Sequence, residues 1–177
     1  MKKINYELVA NDHASYGLLC HLINKYHPEL RQARFALAWR KNRKPDVDGH
    51  LVLGECVLVN DLQKELVPFD FVIILNREVW ENPEFTDAQK SALLDHELCH
   101  AAPKLNTDTD EQELDERGRP VWRIRKHDIE EFRDVVARHG VYKSSLELFA
   151  EALLKKVKEE KKKEKEEEEK EDKDYVS

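Results

Sequence analysis

Hydrophobic positions change period several times along the chain, and each change marks an element. Tyr16, Leu19 and Ile23, with Tyr26 or His27, recur at helical spacing. They predict an opening helix to about Tyr26, capped by Asn11 or Asp12 and ended by Pro28. Phe35, Leu37 and Trp39 alternate within the stretch from Arg34 to Arg40, the period of a strand. Leu51 to Val59 is rich in β-formers, and Gly54 inside it marks a bulge or a close backbone approach. Phe69 to Leu75 is almost continuously apolar, as a central strand is. A short helical or irregular stretch around Val79 and Trp80 leads into a second long helix, from about Thr86 to about Ala102. Thr86 and Gln89 form a capping box at its start, and Pro103 supplies its stop. Leu94, Leu98 and Ala101 make its apolar face.

Beyond Pro103 the pattern turns polar and acidic from Leu105 to Glu116, and Arg117 to Pro120 reads as a turn. Val121 to Arg125 alternates again and predicts a short strand. Asp128 and Glu131 offer a second capping box for a helix to about His139, closed by Gly140, with Ile129, Phe132, Val135 and Val136 inward. Ser144 to Glu147 offers a third box, after which Leu146, Phe149, Ala150, Leu153, Leu154 and Val157 recur at helical spacing. From Lys155 to Asp174 the chain holds nine lysines and ten acids and has no apolar face after Val157. Such a stretch is either disordered or a lone solvated helix with pairs such as Lys162–Glu166. Residues 1–154 therefore read as one domain and 155–177 as a charged tail. Strands interleaved with helices predict an α+β fold: a small, mostly antiparallel or mixed sheet packed against the helix at Thr86, with further helices.

Composition narrows the setting. A chain of 177 residues can bury a sizeable core, and its net charge of −7 argues against nucleic-acid binding by bulk charge. Cys20, Cys56 and Cys99 are odd in number and contain no CxxC pair, which points to reduced thiols and a cytoplasmic setting. Two lysines near the N-terminus are followed by no apolar stretch of the kind a secretory signal needs. No run approaches the roughly 20 apolar residues that span a bilayer.

The chemistry concentrates at His96-Glu97-Leu98-Cys99-His100, which reads H-E-x-x-H. Residues four apart share a helix face, about 40° apart in projection, so two imidazoles can grip one metal ion. Glu97 is rotated about 100° from His96 and flanks that face, where it can act as a general base without being a ligand. A catalytic zinc ion usually takes three protein ligands and keeps one position for water. His127, just ahead of the helix expected at Asp128, is the preferred third ligand. Glu130 and Glu131 are its rivals, although Glu131 also fills a capping position and Asp128 is more simply the cap. Cys99 is expected to pack as a small buried residue beside the site. His13, His21 and His27 fall on the surface or edge of the first helix, His50 in a turn and His139 at a helix end.

Leu93 to Ala101, followed by His127-Asp128-Ile129-Glu130-Glu131-Phe132, resembles the phage metallopeptidase family, which is similar to SprT-like zinc proteases. In those proteases H-E-x-x-H is followed by a histidine opening a segment of the type H-G-x-E-F. His127 matches that histidine and Phe132 the aromatic. Asp128 stands where glycine is usual, one extra residue precedes Phe132, and no four-cysteine zinc ribbon follows. The resemblance spans roughly Arg34 to Leu154 and implies a zincin-like fold, one Zn2+ ion and peptide-bond hydrolysis.

The expected activity is therefore that of a zinc metallopeptidase, with Glu97 activating a zinc-bound water and a peptide or protein as substrate. Tyr142, Arg123 and Arg125 are candidates for a second electrophile, and Leu51 to Val59 for an edge that pairs with an extended peptide. Two alternatives stand beside it. One is a non-catalytic, zinc-stabilised interaction module. The other is a SprT-like protease acting on DNA-associated proteins, whose local support is the basic set Arg31, Arg34, Arg40, Lys41, Arg43 and Lys44.

Overall fold

A computed structural model describes residues 5–130 and 132–175, with side chains as far as Lys163. Two compact units divide the chain, Met1–Lys126 and His127–Ser177.

The first unit is built on a four-stranded mixed sheet. Its strands are β1 (Tyr6–Leu8), β2 (Phe35–Arg40), β3 (Gly54–Leu58) and β4 (Phe71–Asn76), in the order β1-β2-β4-β3. β2 and β4 run parallel with Phe35 opposite Phe71, while β1 on β2 and β3 on β4 are antiparallel. The apolar run at Phe69 thus becomes a central strand, as its composition predicts, beginning two residues later. β2 is more deeply placed than its alternation implies: Ala36 and Ala38 are buried as well as Leu37 and Trp39. β1 is too short for its alternation of Tyr6, Glu7 and Leu8 to signal a strand, all three are exposed, and pairing with β2 is what makes it one.

Helix α1 (Ala14–Tyr26) packs against α4 (Asp87–His100), and both contribute to one core with Leu37, Phe71, Ile73 and Leu75. The cap of α1 is His13, whose Nδ1 accepts from the Ser15 backbone N–H at 3.2 Å, in place of the expected Asn11 or Asp12. Asp12 lies one residue too early for that bond. At the other end His27 turns inward while Tyr26 is exposed, with the Lys25 ammonium over its ring. Two single-turn helices, α2 (Asp61–Lys64) and α3 (Arg77–Trp80), begin at Asn60 and Asn76, whose side chains accept from the backbone three residues on.

Helix α4 starts with the predicted capping box between Thr86 and Gln89. Its end differs from expectation. It stops at His100, and Ala101 is already extended (φ −80°, ψ 129°). Ala101–Pro103 forms β5, which pairs antiparallel with β6 (Trp122–Ile124). The β6 pairing thus begins two residues ahead of Pro103, the expected stop. Between them the polar segment returns on itself through bridges at Leu105–Gln112 and Leu114–Pro120. The turn at Arg117 forms as predicted, with Gly118 at φ +73°. The three cysteines form no disulfide.

In the second unit, α5 (Arg133–His139) is shorter than expected. Phe132 caps it in an extended conformation, so no helix begins at Asp128; Glu131, the expected partner in its capping box, lies outside the described residues. Phe132 is exposed where an inward position was expected. Gly140 closes α5 at φ +69°, and its N–H donates to the Val136 carbonyl. α6 runs Ser144–Tyr175, a single helix across the expected boundary at residue 154. Of the predicted apolar stripe only Leu146 is buried; Phe149, Leu153, Leu154 and Val157 are exposed. No helix among the described residues is long and apolar enough to cross a membrane.

Candidate metal centre

Helix α4 carries the whole motif. Leu94 and Leu98 are completely buried against the sheet and fix the helix rotation. His96 is then exposed and His100 half-buried, with ring centroids 5.1 Å apart. The imidazole of His100 is oriented by its backbone surroundings. Its Nδ1 lies 2.8 Å from the Arg125 carbonyl oxygen, which can only accept, so Nδ1 carries the proton and Nε2 the lone pair. The Arg125 N–H in turn donates to the His100 carbonyl at 2.7 Å, extending the β5–β6 ladder. A backbone carbonyl on the far ring nitrogen is the usual partner of a metal-binding histidine.

His127 follows Arg125 by two residues. It opens the second unit, as does Glu130 three residues later, while Glu131 lies outside the described residues. The His96–His100 pair suits zinc, which prefers nitrogen and sulfur donors in tetrahedral sets.

Glu97 is buried, at 3% exposure. Its carboxylate accepts from the Cys56 backbone N–H on β3. Burial pushes its pKa up to about 7; the nearby His100 opposes this, the Glu55 carboxylate adds to it, and the Cys56 N–H and Arg43 pull it down. A cation held by the histidines would lower it again. The close approach expected at Gly54 is real. A Cβ there would stand 2.5 Å from Glu97 Oε1 and 2.9 Å from its Cδ. Glycine on β3 is what lets the carboxylate lie against the sheet.

Other expected residues fall elsewhere. Cys99 is exposed, not buried. It groups with His27 and Asp95. His27, offered with Tyr26 as the last position of the first helix's apolar stripe, is the one that is buried, and its Nε2 lies 2.6 Å from Asp95 Oδ1. The sequence does hold a signal for this pair: a histidine at a helix end before proline, and a carboxylate just ahead of the motif. Arg125 acts through its backbone, Arg123 is an exposed residue of β6, and Tyr142 is exposed with Lys143 over its ring. The basic set is largely answered by acids: Arg34 by Asp70, Lys41 by Glu7 and Arg43 by Glu55, while Arg40 covers the Tyr6 ring. No curated protein and no solved structure matches the chain. Residues 9–158 do match one family, described as putative phage metallopeptidase, and with most of its length inside that match the chain belongs to that family.

Proposed function

We propose that the chain is a zinc-dependent metallopeptidase of zincin-like, SprT-type design, in which His96, His100 and His127 hold the metal and Glu97 is the general base. The observation that carries this reading is the position of Glu97: a buried carboxylate beside the histidine pair, clear of the ligand group and held by the Cys56 N–H. A purely structural metal site has no use for that carboxylate. When bound, zinc supplies Lewis acidity, polarising a scissile carbonyl and acidifying a coordinated water. Glu97 takes the proton from the attacking water on a carboxylate oxygen and passes it to the leaving amine. Packing against Gly54 and the Cys56 N–H hold that oxygen in place through the exchange. His100 keeps its lone pair on Nε2 because Arg125 holds the proton on Nδ1. An extended peptide is the substrate that fits. Among the described residues β3 pairs only with β4, which makes it an edge strand, and it packs against α4.

The deciding comparison is between two variants digested against a broad peptide library. Glu97→Gln keeps the metal and loses hydrolysis by about 10²–10⁴-fold. His100→Ala loses metal and hydrolysis together. A Glu97→Gln protein that cleaves as well as wild type defeats the reading. A wild type that binds zinc and cleaves nothing replaces it with a non-catalytic zinc module.

A further inference from the structure

A second group of metal-ligating side chains lies wholly within the first unit and takes no part in the site above. His27, Asp95 and Cys99 each offer a ligand atom, and these atoms all lie within 4.8 Å of one another. Asp95 and Cys99 are four residues apart on α4, each one position ahead of His96 and His100. The helix therefore carries two ligand pairs at the same spacing, side by side and rotated by about 100°. The third group comes from the end of α1. His27 caps that helix with its ring buried, so its position is fixed by the fold and not by rotamer choice.

We propose that His27, Asp95 and Cys99 form a second divalent-cation site of the zinc class. One imidazole nitrogen, one carboxylate oxygen and one thiolate sulfur make a mixed borderline set, which zinc accepts and which calcium and magnesium do not. Nε2 of His27 is the coordinating atom, since it is the one that faces Asp95, at 2.6 Å. Its other nitrogen, Nδ1, lies 3.6 Å from Glu29 Oε1. A carboxylate on that side is the outer partner that metal-bound histidines typically have. On binding, the imidazole proton sits on Nδ1 toward Glu29, and the Cys99 thiol gives up its proton to solvent as the sulfur–metal bond forms. Asp95 and Cys99 are half-buried and exposed, so both side chains can adjust to bond lengths of about 2.0–2.3 Å. The exposed side of the group leaves a position for water. A cation there ties the end of α1 to α4 and raises the melting temperature of the whole first unit.

Cobalt(II) titration of the full-length, metal-stripped chain tests this directly. Thiolate ligation of cobalt gives an intense near-ultraviolet charge-transfer band, and ligation by three imidazoles gives none. Wild type is expected to bind about two equivalents and to develop that band with one of them. Cys99→Ala, a favourable change on an exposed helix position, abolishes the band and leaves about one equivalent. Cys99→Ser does the same, and Cys20→Ala leaves the band intact. His100→Ala removes the other equivalent and keeps the band, so the two sites succeed or fail independently. The proposal is overturned if no thiolate band forms, or if the band survives Cys99→Ala. It is equally overturned if a single equivalent carries the band and is lost in both Cys99→Ala and His100→Ala, because Cys99 would then belong to the histidine site.

Discussion

The backbone of Gly54 and the carboxylate of Glu97 are in contact, so closely that a Cβ on residue 54 would stand 2.5 Å from Oε1. A glycine on the edge strand and an acid on the motif helix are thus one structural unit. Replacing Gly54 by alanine forces Glu97 out of a buried position and away from the Cys56 N–H. The expected cost is about 1–3 kcal/mol of unfolding free energy, the range for overpacking. Urea denaturation of metal-stripped protein measures it. A Gly54→Ala variant as stable as wild type would mean that Glu97 has room to retreat.

Cys56 should be the slowest thiol in the protein. Burial pushes its pKa up to about 12, and the Glu97 carboxylate beside it adds to the shift. At pH 8 only about one thiol in 10⁴ is then ionised, and the thiolate is the reactive form. Cys20 and Cys99 are exposed. Timed alkylation of metal-free protein, read by peptide mass, should label both long before Cys56. Equal labelling of all three contradicts the burial.

Asp115 makes the turn at Arg117 acid-sensitive. N–H donation from the Arg119 backbone, then the Arg119 guanidinium and the Arg117 N–H, hold its pKa down at about 2 against an ordinary 3.8. A depressed carboxylate stabilises the fold above its unfolded pKa and loses that contribution as pH falls through its folded one. The stability gap between wild type and Asp115→Asn should therefore be constant above about pH 4 and close between about pH 4 and pH 2. A gap that persists unchanged to pH 2, or a carboxyl that titrates by NMR near the ordinary value, refutes it.

A chain ending at Lys158 should melt within about two degrees of the full chain. From Glu151 to Lys163 every side chain is exposed, so the distal part of α6 has little apolar area to lose. Calorimetry of the two forms decides; a loss of several degrees would show that the tail is anchored.

Local pattern made much of this molecule legible. The capping box at Thr86, the apolar run at Phe69 and the histidine spacing are encoded within a few residues; the box forms where expected and the strand begins two residues later. What escaped depended on partners distant in sequence. α4 gives way at Ala101 to a strand paired with β6, more than twenty residues later, which Pro103 alone does not signal. β1 exists only because β2 accepts it. The helical spacing leaves the choice between Tyr26 and His27 open, and Asp95, placed beside His27, goes with the second. The box at Asp128 satisfies a local rule, yet the backbone at Phe132 is extended. Gly54 is an intermediate case. The sequence signals a close approach there, and only the packed helix identifies Glu97 as what approaches.

The ladder between β5 and β6 has one more result. His100 and Arg125 are pinned to each other by two hydrogen bonds, so the path the chain takes between them has no say in where either residue lies. Everything from Lys104 to Val121 is an excursion whose ends are fixed by the strand pairing. Lengthening such a loop costs little, because closure entropy grows only with the logarithm of its length. The turn around Gly118 is consequently the natural place to graft a reporter domain or a foreign recognition element while the histidines stay where they are.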